Sequence, residues 1–281
     1  MSTFTDRTLV VSGGSRGIGL AIALGAAKHG ANVVLLAKTA EPHPKLPGTV
    51  YTAVADVEAA GGNGVAVVGD VRKEEDVQRA VDTAVERFGG VDIVINNASA
   101  IATEPTEELS TKKFDLMMDI NVRGTFLLTK SALPYLRKSA ARTRGGSSAH
   151  VLTLAPPLNM NPHWLGAHPS YTVSKYGMTL LSLGWAAEYD DTGIGFACLW
   201  PETYIATAAV ANSPNFQTML AASRSPQIMA DAAVEILSRS PADVNGKCFI
   251  DAAVLAQTGV TDLASYGGGD NPILDIFVDK P

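Results

Sequence analysis

The chain has 281 residues, 46% of them hydrophobic and 18% charged, a balance that excludes disordered and fibrous classes. Such a length fits one large α/β domain or two small ones and buries a full core without disulfides or metals. The net charge of −6 at pH 7 argues against non-specific nucleic-acid or anionic-membrane binding, which needs a basic surface.

In chain order, Thr8–Ser12 reads as a first strand, followed by a glycine turn and a helix near Gly19–His29. Asn32–Ala37 is a second strand. Glu41–Thr49, with Pro42, Pro44, Pro47 and Gly48, is a loop. Asp76–Phe88 carries Val77, Ala80, Val81, Ala84, Val85 and Phe88 on one stripe, the spacing of a helix with a buried face. Val91–Asn96 and His150–Leu154 read as further strands, separated in part by the Gly/Ser-rich connection Arg142–Ala149. Gly195–Trp200 and Lys247–Asp251 follow, each with one cysteine, Cys198 and Cys248. Both read as buried thiols, with no disulfide framework and no metal cluster. Apolar runs of strand length alternating with helical segments predict an α/β fold, a single Rossmann-type doubly wound parallel sheet with helices on both faces. Residues 1–281 then form one domain, with a substrate loop or lid over 203–226 and a C-terminal extension after 252. The start Met1-Ser2-Thr3-Phe4 lacks a signal-peptide pattern, no apolar run reaches the ~20 residues of a membrane span, and the C-terminus is no peroxisomal address. A cytoplasmic location is expected.

Ser12-Gly13-Gly14-Ser15-Arg16-Gly17-Ile18-Gly19 joins the first strand to the first helix. Glycines there allow a tight turn and close backbone approach to a pyrophosphate at a helix N-terminus, where free N–H groups and the dipole favour anions. The spacing Gly-x3-Gly-x-Gly differs from the commoner Gly-x-Gly-x2-Gly. An enzyme using NAD places an acid at the end of the second strand to bind the ribose 2′-hydroxyl. Leu35-Leu36-Ala37-Lys38-Thr39 offers a lysine instead, and Arg16 points to the same region. Two cations without a carboxylate suit a 2′-phosphate, so NADP(H) is expected over NAD(H). The plainer alternative is that Lys38 and Arg16 are solvated surface charges.

Tyr171 and Lys175 are four residues apart, one helical turn, with Cβ atoms roughly 5–6 Å from each other. An ammonium so close is expected to lower the phenol's pKa from about 10 toward neutrality. The pair would then act as a general acid/base on an alcohol or carbonyl oxygen.

With these motifs in order, the sequence resembles the short-chain dehydrogenase/reductase family over essentially its whole length. The matches are Gly13/Gly17/Gly19, Asp70-Val71, Asn96-Asn97-Ala98-Ser99, Asn121-Val122-Arg123-Gly124, Tyr171 to Lys175, and Pro201 after a strand. It is most similar to the hydroxysteroid dehydrogenase-like branch, on Ala37 to Leu46, Asn97 to Ile101, Ala155-Pro156-Pro157-Leu158-Asn159 and Trp200-Pro201. Animal members of that branch add a sterol-carrier domain, for which this chain is too short. The resemblance implies that Gly13, Ser15, Arg16, Gly17, Ile18, Gly19, Lys38 and Pro201 hold cofactor. Asp70 would accept from the adenine amino group beside the Val71 backbone, and Asn97 and Ala98 would line the ribose. Tyr171 would exchange the substrate proton, Lys175 would bond the nicotinamide ribose, and Asn121 would hold a water in a proton relay. The structural alternatives are Asp70 as a helix cap and Asn121 as a buried amide in a helix kink. A homodimer or homotetramer through the helices after Asn121 and Tyr171 is also implied.

The sequence departs from that pattern at the catalytic serine, whose alignable positions are Ala155 and Pro156. A donor aimed at the reacting oxygen is worth about 10²–10³ in rate, so a replacement is expected from Asn159, Asn161, His163 or His168. Ser99 and Glu202 stand where the family usually has glycines. Leu158, Met160, Trp164 and Leu165 suit an apolar small-molecule substrate, and suit a packed loop as well. The leading expectation is an NADP(H)-dependent alcohol/carbonyl oxidoreductase. The alternatives are a catalytically impaired NADP-binding scaffold or sensor, and a lyase or hydratase using the same tyrosine.

Overall fold

Strand β1 (Thr8–Ser12) is buried along its whole length. Its side chains alternate between two apolar clusters: Leu9 and Val11 enter one, Val10 the other. Strand β2 (Asn32–Ala37) repeats the pattern, with Val33, Leu35 and Ala37 on the first side and Val34 and Leu36 on the second. A strand covered on both faces has no polar side to present, so these runs read as continuously apolar. The computed structural model describes residues 4–43, 47–142, 149–208 and 216–279. Pro44 of the proline-rich loop, residues 143–148 of the Gly/Ser-rich connection and residues 209–215 of the expected lid lie outside them.

The remaining strands are β3 (Asn63–Val68), β4 (Ile93–Asn96), β5 (His150–Thr153), β6 (Gly195–Trp200) and β7 (Lys247–Ile250). All pair in parallel, in the order β3-β2-β1-β4-β5-β6-β7. Helices α1 (Gly17–Ala27) and α2 (Val50–Ala59), with the later helix Gln227–Ser238, cover the first face. The second face is covered by α3 (Glu74–Phe88), α5 (Gly124–Arg142) and α7 (Pro169–Glu188). The expected doubly wound sheet is therefore the observed one. Its strand order reverses beside β1, and the crevice at the carboxyl ends of β1 and β4 is where such sheets bind ligands.

Several boundaries differ from the expectation, for local reasons. Helix α3 begins at Glu74, two residues early, because Glu74, Glu75 and Asp76 all favour a first turn; it ends at Gly89, φ +85°. Asp251 opens a helix (Asp251–Gln257) rather than closing β7. Helix α2 is set by a reciprocal capping pair between Thr49 and Thr52. Within the expected lid, Phe216–Ala221 is helical. Cys198 and Cys248 face each other in register across β6 and β7 and are both free thiols. Cys198 is buried as expected, whereas Cys248, on the edge strand, is only half-buried.

Candidate active site

The glycine turn is held by hydrogen bonds from the neighbouring strand end. Ser12 Oγ accepts from the Asn97 and Ala98 amides at 3.1 Å each, and the Asn97 side chain donates to the Ser12 and Gly13 carbonyls at 3.0 and 3.1 Å. Gly13 and Gly17 adopt φ of +70° and +61°, in the left-handed region that favours glycine. At Gly19 a Cβ would sit 2.4 Å from Asn97 Nδ2 and 2.8 Å from the Gly13 carbonyl. Ser15 is buried and Ile18 packs on the first core face. The N-terminus of α1 has no side-chain cap and no acid in its first turn. Its N–H groups and dipole thus remain available to an anion, and the residues of this turn fit a pyrophosphate. Asn97 and Ala98, expected along a ribose, here brace the turn.

At the end of β2, Lys38 is exposed, its Nζ 3.8 Å from Asp70 Oδ2. Arg16 does not stand free: Nε and Nη2 donate to the Pro47 and Gly48 carbonyls at 3.0 and 2.8 Å. Asp70 is clamped by Arg72, which donates from Nε at 2.9 Å and from Nη2 at 2.6 Å to Oδ2. These bonds hold the Asp70 carboxyl below its ordinary value. Arg72, absent from the sequence-based set, thus shares the acceptor expected for adenine. Asp70 also bonds the Arg72 amide at 3.0 Å, a turn-capping role. Val71 is buried against Gly124.

Asn121 lies fully buried in a π-helical turn, Met118–Arg123, between the short helix α4 (Thr111–Met117) and α5. Its side chain accepts from the Ala100 amide at 2.8 Å and donates to the Ala100 carbonyl at 3.0 Å and to Ser174 Oγ at 2.9 Å. It reaches α7 through Ser174, next to Lys175, rather than touching Lys175.

Tyr171 and Lys175 share the buried face of α7. Lys175 Nζ donates to the Leu154 carbonyl at 2.9 Å and lies 5.2 Å from the centre of the Trp200 ring. Burial lowers its pKa to about 8, partly offset by Asp275. The expected lowering of the tyrosine is not found. Burial pushes the Tyr171 phenol up, and Asp275 and Tyr204 push it further. Desolvation disfavours the phenolate, and the lysine, turned to a carbonyl and an indole, does not offset it.

The serine position offers no hydroxyl. Ala155 is buried among Met178, Cys198 and Cys248, and the Pro156 carbonyl accepts from Thr179 at 2.7 Å. None of the four expected replacements is unengaged. Asn161 caps a short helix, α6 (Pro162–Ala167), His168 meets the Thr103 carbonyl at 3.1 Å, and His163 is exposed against Trp164. Asn159 Nδ2 donates to the Phe277 carbonyl at 3.1 Å and to Asp279 at 2.8 Å.

Those last bonds belong to a C-terminal segment that crosses the site. Trp164 Nε1 donates to Asp279 at 2.7 Å, Trp200 Nε1 to the Ile276 carbonyl at 2.9 Å, and the Asp275 amide to the Glu202 carbonyl at 3.0 Å. Phe277 is buried with its ring 6.3 Å from Tyr171, nearly parallel, and 5.1 to 6.2 Å from Tyr176, Trp200 and Trp164. It is held at φ +75°, which costs a residue with a Cβ roughly 1–2 kcal/mol. Asp275 keeps part of its surface open, but desolvation of its carboxyl raises it to about 8, with Asp251 adding to the effect and the Ile276 amide and Lys175 opposing it. Glu202, just after the buried Pro201, is paired with Arg224 at 2.8 Å. Asp251, fully buried, bonds the Glu202 and Ala252 amides at 2.8 and 2.7 Å, and burial raises its carboxyl to about 6.

A short chain dehydrogenase model matches residues 7–217 of this chain. The chain belongs to the short-chain dehydrogenase family. It is 49% identical over 281 residues to hydroxysteroid dehydrogenase-like protein 2 of Xenopus tropicalis, covering 97% of this chain and 64% of that protein. The chain thus spans less than two thirds of that relative's length. A solved putative dehydrogenase from Xanthomonas campestris is 46% identical, with TM-score 0.91 and 99% of each chain covered. More distant solved neighbours differ in cofactor. L-sorbose reductase from Gluconobacter frateurii, 25% identical with TM-score 0.74 and 89% and 97% of the two chains covered, is complexed with NADPH and L-sorbose. NADH-dependent reductase A1-R′, 27% identical with TM-score 0.71 and the same coverage, is complexed with NAD. Members of the family are oxidoreductases that bind a nicotinamide cofactor and act on small molecules.

Proposed function

We propose that this protein is an NADP(H)-dependent oxidoreductase that interconverts an alcohol and a carbonyl on an apolar substrate. The observation that carries the reading is the pairing of Tyr171 and Lys175 on the buried face of α7, under an aromatic roof at the carboxyl end of the sheet. Hydride exchange with the substrate carbon is the chemistry a bound nicotinamide supplies. Tyr171, kept as a phenol by burial, gives its proton to the substrate oxygen in reduction and takes it back in oxidation. Lys175 is charged at neutral pH and bonds the cofactor ribose beside the tyrosine. Asn121 and Ser174 hold the backbone at Ala100 and Tyr171 and anchor the relay of protons to Lys175. Gly13, Ser15, Arg16, Gly17, Ile18 and Gly19 take the pyrophosphate, Asn97 and Ala98 the ribose, Asp70 and Val71 the adenine, and Pro201 the nicotinamide side. The exposed Lys38 meets the 2′-phosphate, with Arg16 shaping the loop beside it.

Phe126 on α5 and Val173 and Leu180 on α7 are large apolar side chains left 41%, 54% and 58% exposed. Burying the exposed half of each contributes about 1 kcal/mol, which supports a homodimer or homotetramer through these helices. No helix among the described residues is long and apolar enough to cross a membrane; a cytoplasmic setting belongs to the same proposal.

The test is NADPH absorbance against a panel of aldehydes, ketones and alcohols, with Tyr171→Phe beside the parent. Turnover that the substitution abolishes supports the reading; turnover that it leaves unchanged removes it. The missing hydroxyl at Ala155 and Pro156 favours a second reading, an NADP-binding scaffold. It is selected by tight NADPH binding with no substrate turned over.

A further inference from the structure

We propose that Asp275 is a catalytic residue whose carboxyl donates, to the substrate oxygen, the hydrogen bond that a hydroxyl at position 155 or 156 would give. This rests on the oxidoreductase reading above and adds a residue from the far end of the chain. Four observations lead to it. Ala155 and Pro156 have no donor to offer, and Asn159, Asn161, His163 and His168 are engaged in the loop or exposed. The segment carrying Asp275 is fastened across the catalytic pair: the Asp275 amide is bonded to Glu202, Ile276 to Trp200, and the Phe277 ring lies on Tyr171. Trp200, which receives this segment, also covers the Lys175 ammonium, so Asp275 lies between the elements that frame both catalytic groups. Its Oδ1 accepts from the Ile276 amide at 2.6 Å, while among the described residues no hydrogen bond engages Oδ2.

The role requires the protonated acid. The groups around it are Tyr171 and Lys175 from α7, Glu202 and Tyr204 after β6, Asp251 at the following helix start, and Arg224 paired with Glu202. Desolvation first and the Asp251 carboxylate second raise Asp275 to about 8, against the Ile276 amide and Lys175, so at pH 7 it is a donor. In the reduction Tyr171 still transfers the proton. The Asp275 O–H bond stays intact and only polarises the carbonyl, so no co-reactant is needed.

The experiment uses the full chain with NADPH and 4-nitrobenzaldehyde as the carbonyl probe, comparing the parent with Asp275→Ala, Asp275→Asn and Tyr171→Phe. A donor to the reacting oxygen is worth about 10² in rate, so Asp275→Ala should lose about that factor in kcat with little change in KM. Asp275→Asn retains an N–H donor and should keep kcat within about tenfold of the parent. A second readout needs no turnover. A carboxyl raised in the fold costs stability progressively as pH climbs from its unfolded value, about 4, to its folded value, and the cost is constant above that. Asparagine has no such cost, so the Tm of Asp275→Asn relative to the parent should climb between pH 5 and 8 and then level. Equal kcat losses in both Asp275 variants, no loss in either, or a Tm difference flat with pH would each overturn the proposal. If Tyr171→Phe is inactive while Asp275→Ala is not, only this inference fails; if Tyr171→Phe is fully active, the oxidoreductase reading fails with it.

Discussion

Replacing Asn121 with alanine should cost more stability than its small size suggests. The side chain is fully buried and makes three hydrogen bonds, two to the Ala100 backbone and one to Ser174. At about 1 kcal/mol net for each bond, Asn121→Ala loses about 3 kcal/mol, a large part of the ~5–15 kcal/mol that holds a domain together. For a chain of this size that corresponds to a Tm lower by roughly 6–12 °C. Ser174→Ala removes the bond from Asn121 and its own bond to the Tyr171 carbonyl and should cost about 2 kcal/mol, and the double variant should fall short of the sum because the two residues share a bond. Urea and thermal unfolding measure these losses, with NADPH turnover recorded on the same samples. A loss below about 1 kcal/mol for Asn121→Ala would refute the reasoning, since water would then be substituting for the amide. Turnover that survives at the parent rate would remove Asn121 from the proton relay.

Gly19→Ala brings a Cβ to 2.4 Å from Asn97 Nδ2, so the turn must open. NADPH affinity by fluorescence titration should fall at least about tenfold, more than 1.4 kcal/mol, and unchanged affinity would contradict the tight-turn argument. Lys38→Ala should weaken NADP⁺ binding by about fivefold in calorimetry and leave NAD⁺ unaffected, because a screened surface contact to one phosphate is worth about 1 kcal/mol; equal binding of both cofactors by parent and variant would reject the NADP assignment. Lys175, lowered to about 8, binds its proton more weakly in the fold than in the unfolded chain. The fold therefore gains stability as pH rises from about 8 to the unfolded value near 10.4. Lys175→Met lacks that linkage, so its Tm relative to the parent should decline between pH 8 and 10; a constant difference would show that the ammonium is not desolvated.

Most of the sheet was legible because its signals are local. The apolar runs Thr8–Ser12, Asn32–Ala37 and Gly195–Trp200 became strands with those bounds, since a strand buried on both faces needs only its own residues to be apolar. The glycine turn and the Tyr171–Lys175 spacing were legible for the same reason. Each is defined within a few residues by backbone conformation or helix period. Strand β3, with Asn63 and Gly64 at its start, carried too weak a pattern to be named.

What the sequence could not determine is set by groups far apart in the chain. The direction of the Tyr171 shift depends on desolvation by the surrounding fold and on Asp275, 104 positions away, not on the lysine one turn along. Arg72 takes the Asp70 carboxylate only because the turn after β3 folds the two side chains together. Phe277 and Asp275 have no motif around them, and only the docking of their segment onto Trp164, Trp200 and Glu202 brings them beside Tyr171 and Lys175. The sequence by itself determined the fold, the glycine turn and the one-turn spacing of Tyr171 and Lys175 on a single helix, because helix, strand and turn preferences act over a few residues. Tertiary structure alone decided the protonation of that pair and what faces it, because burial and electrostatics depend on distance in space.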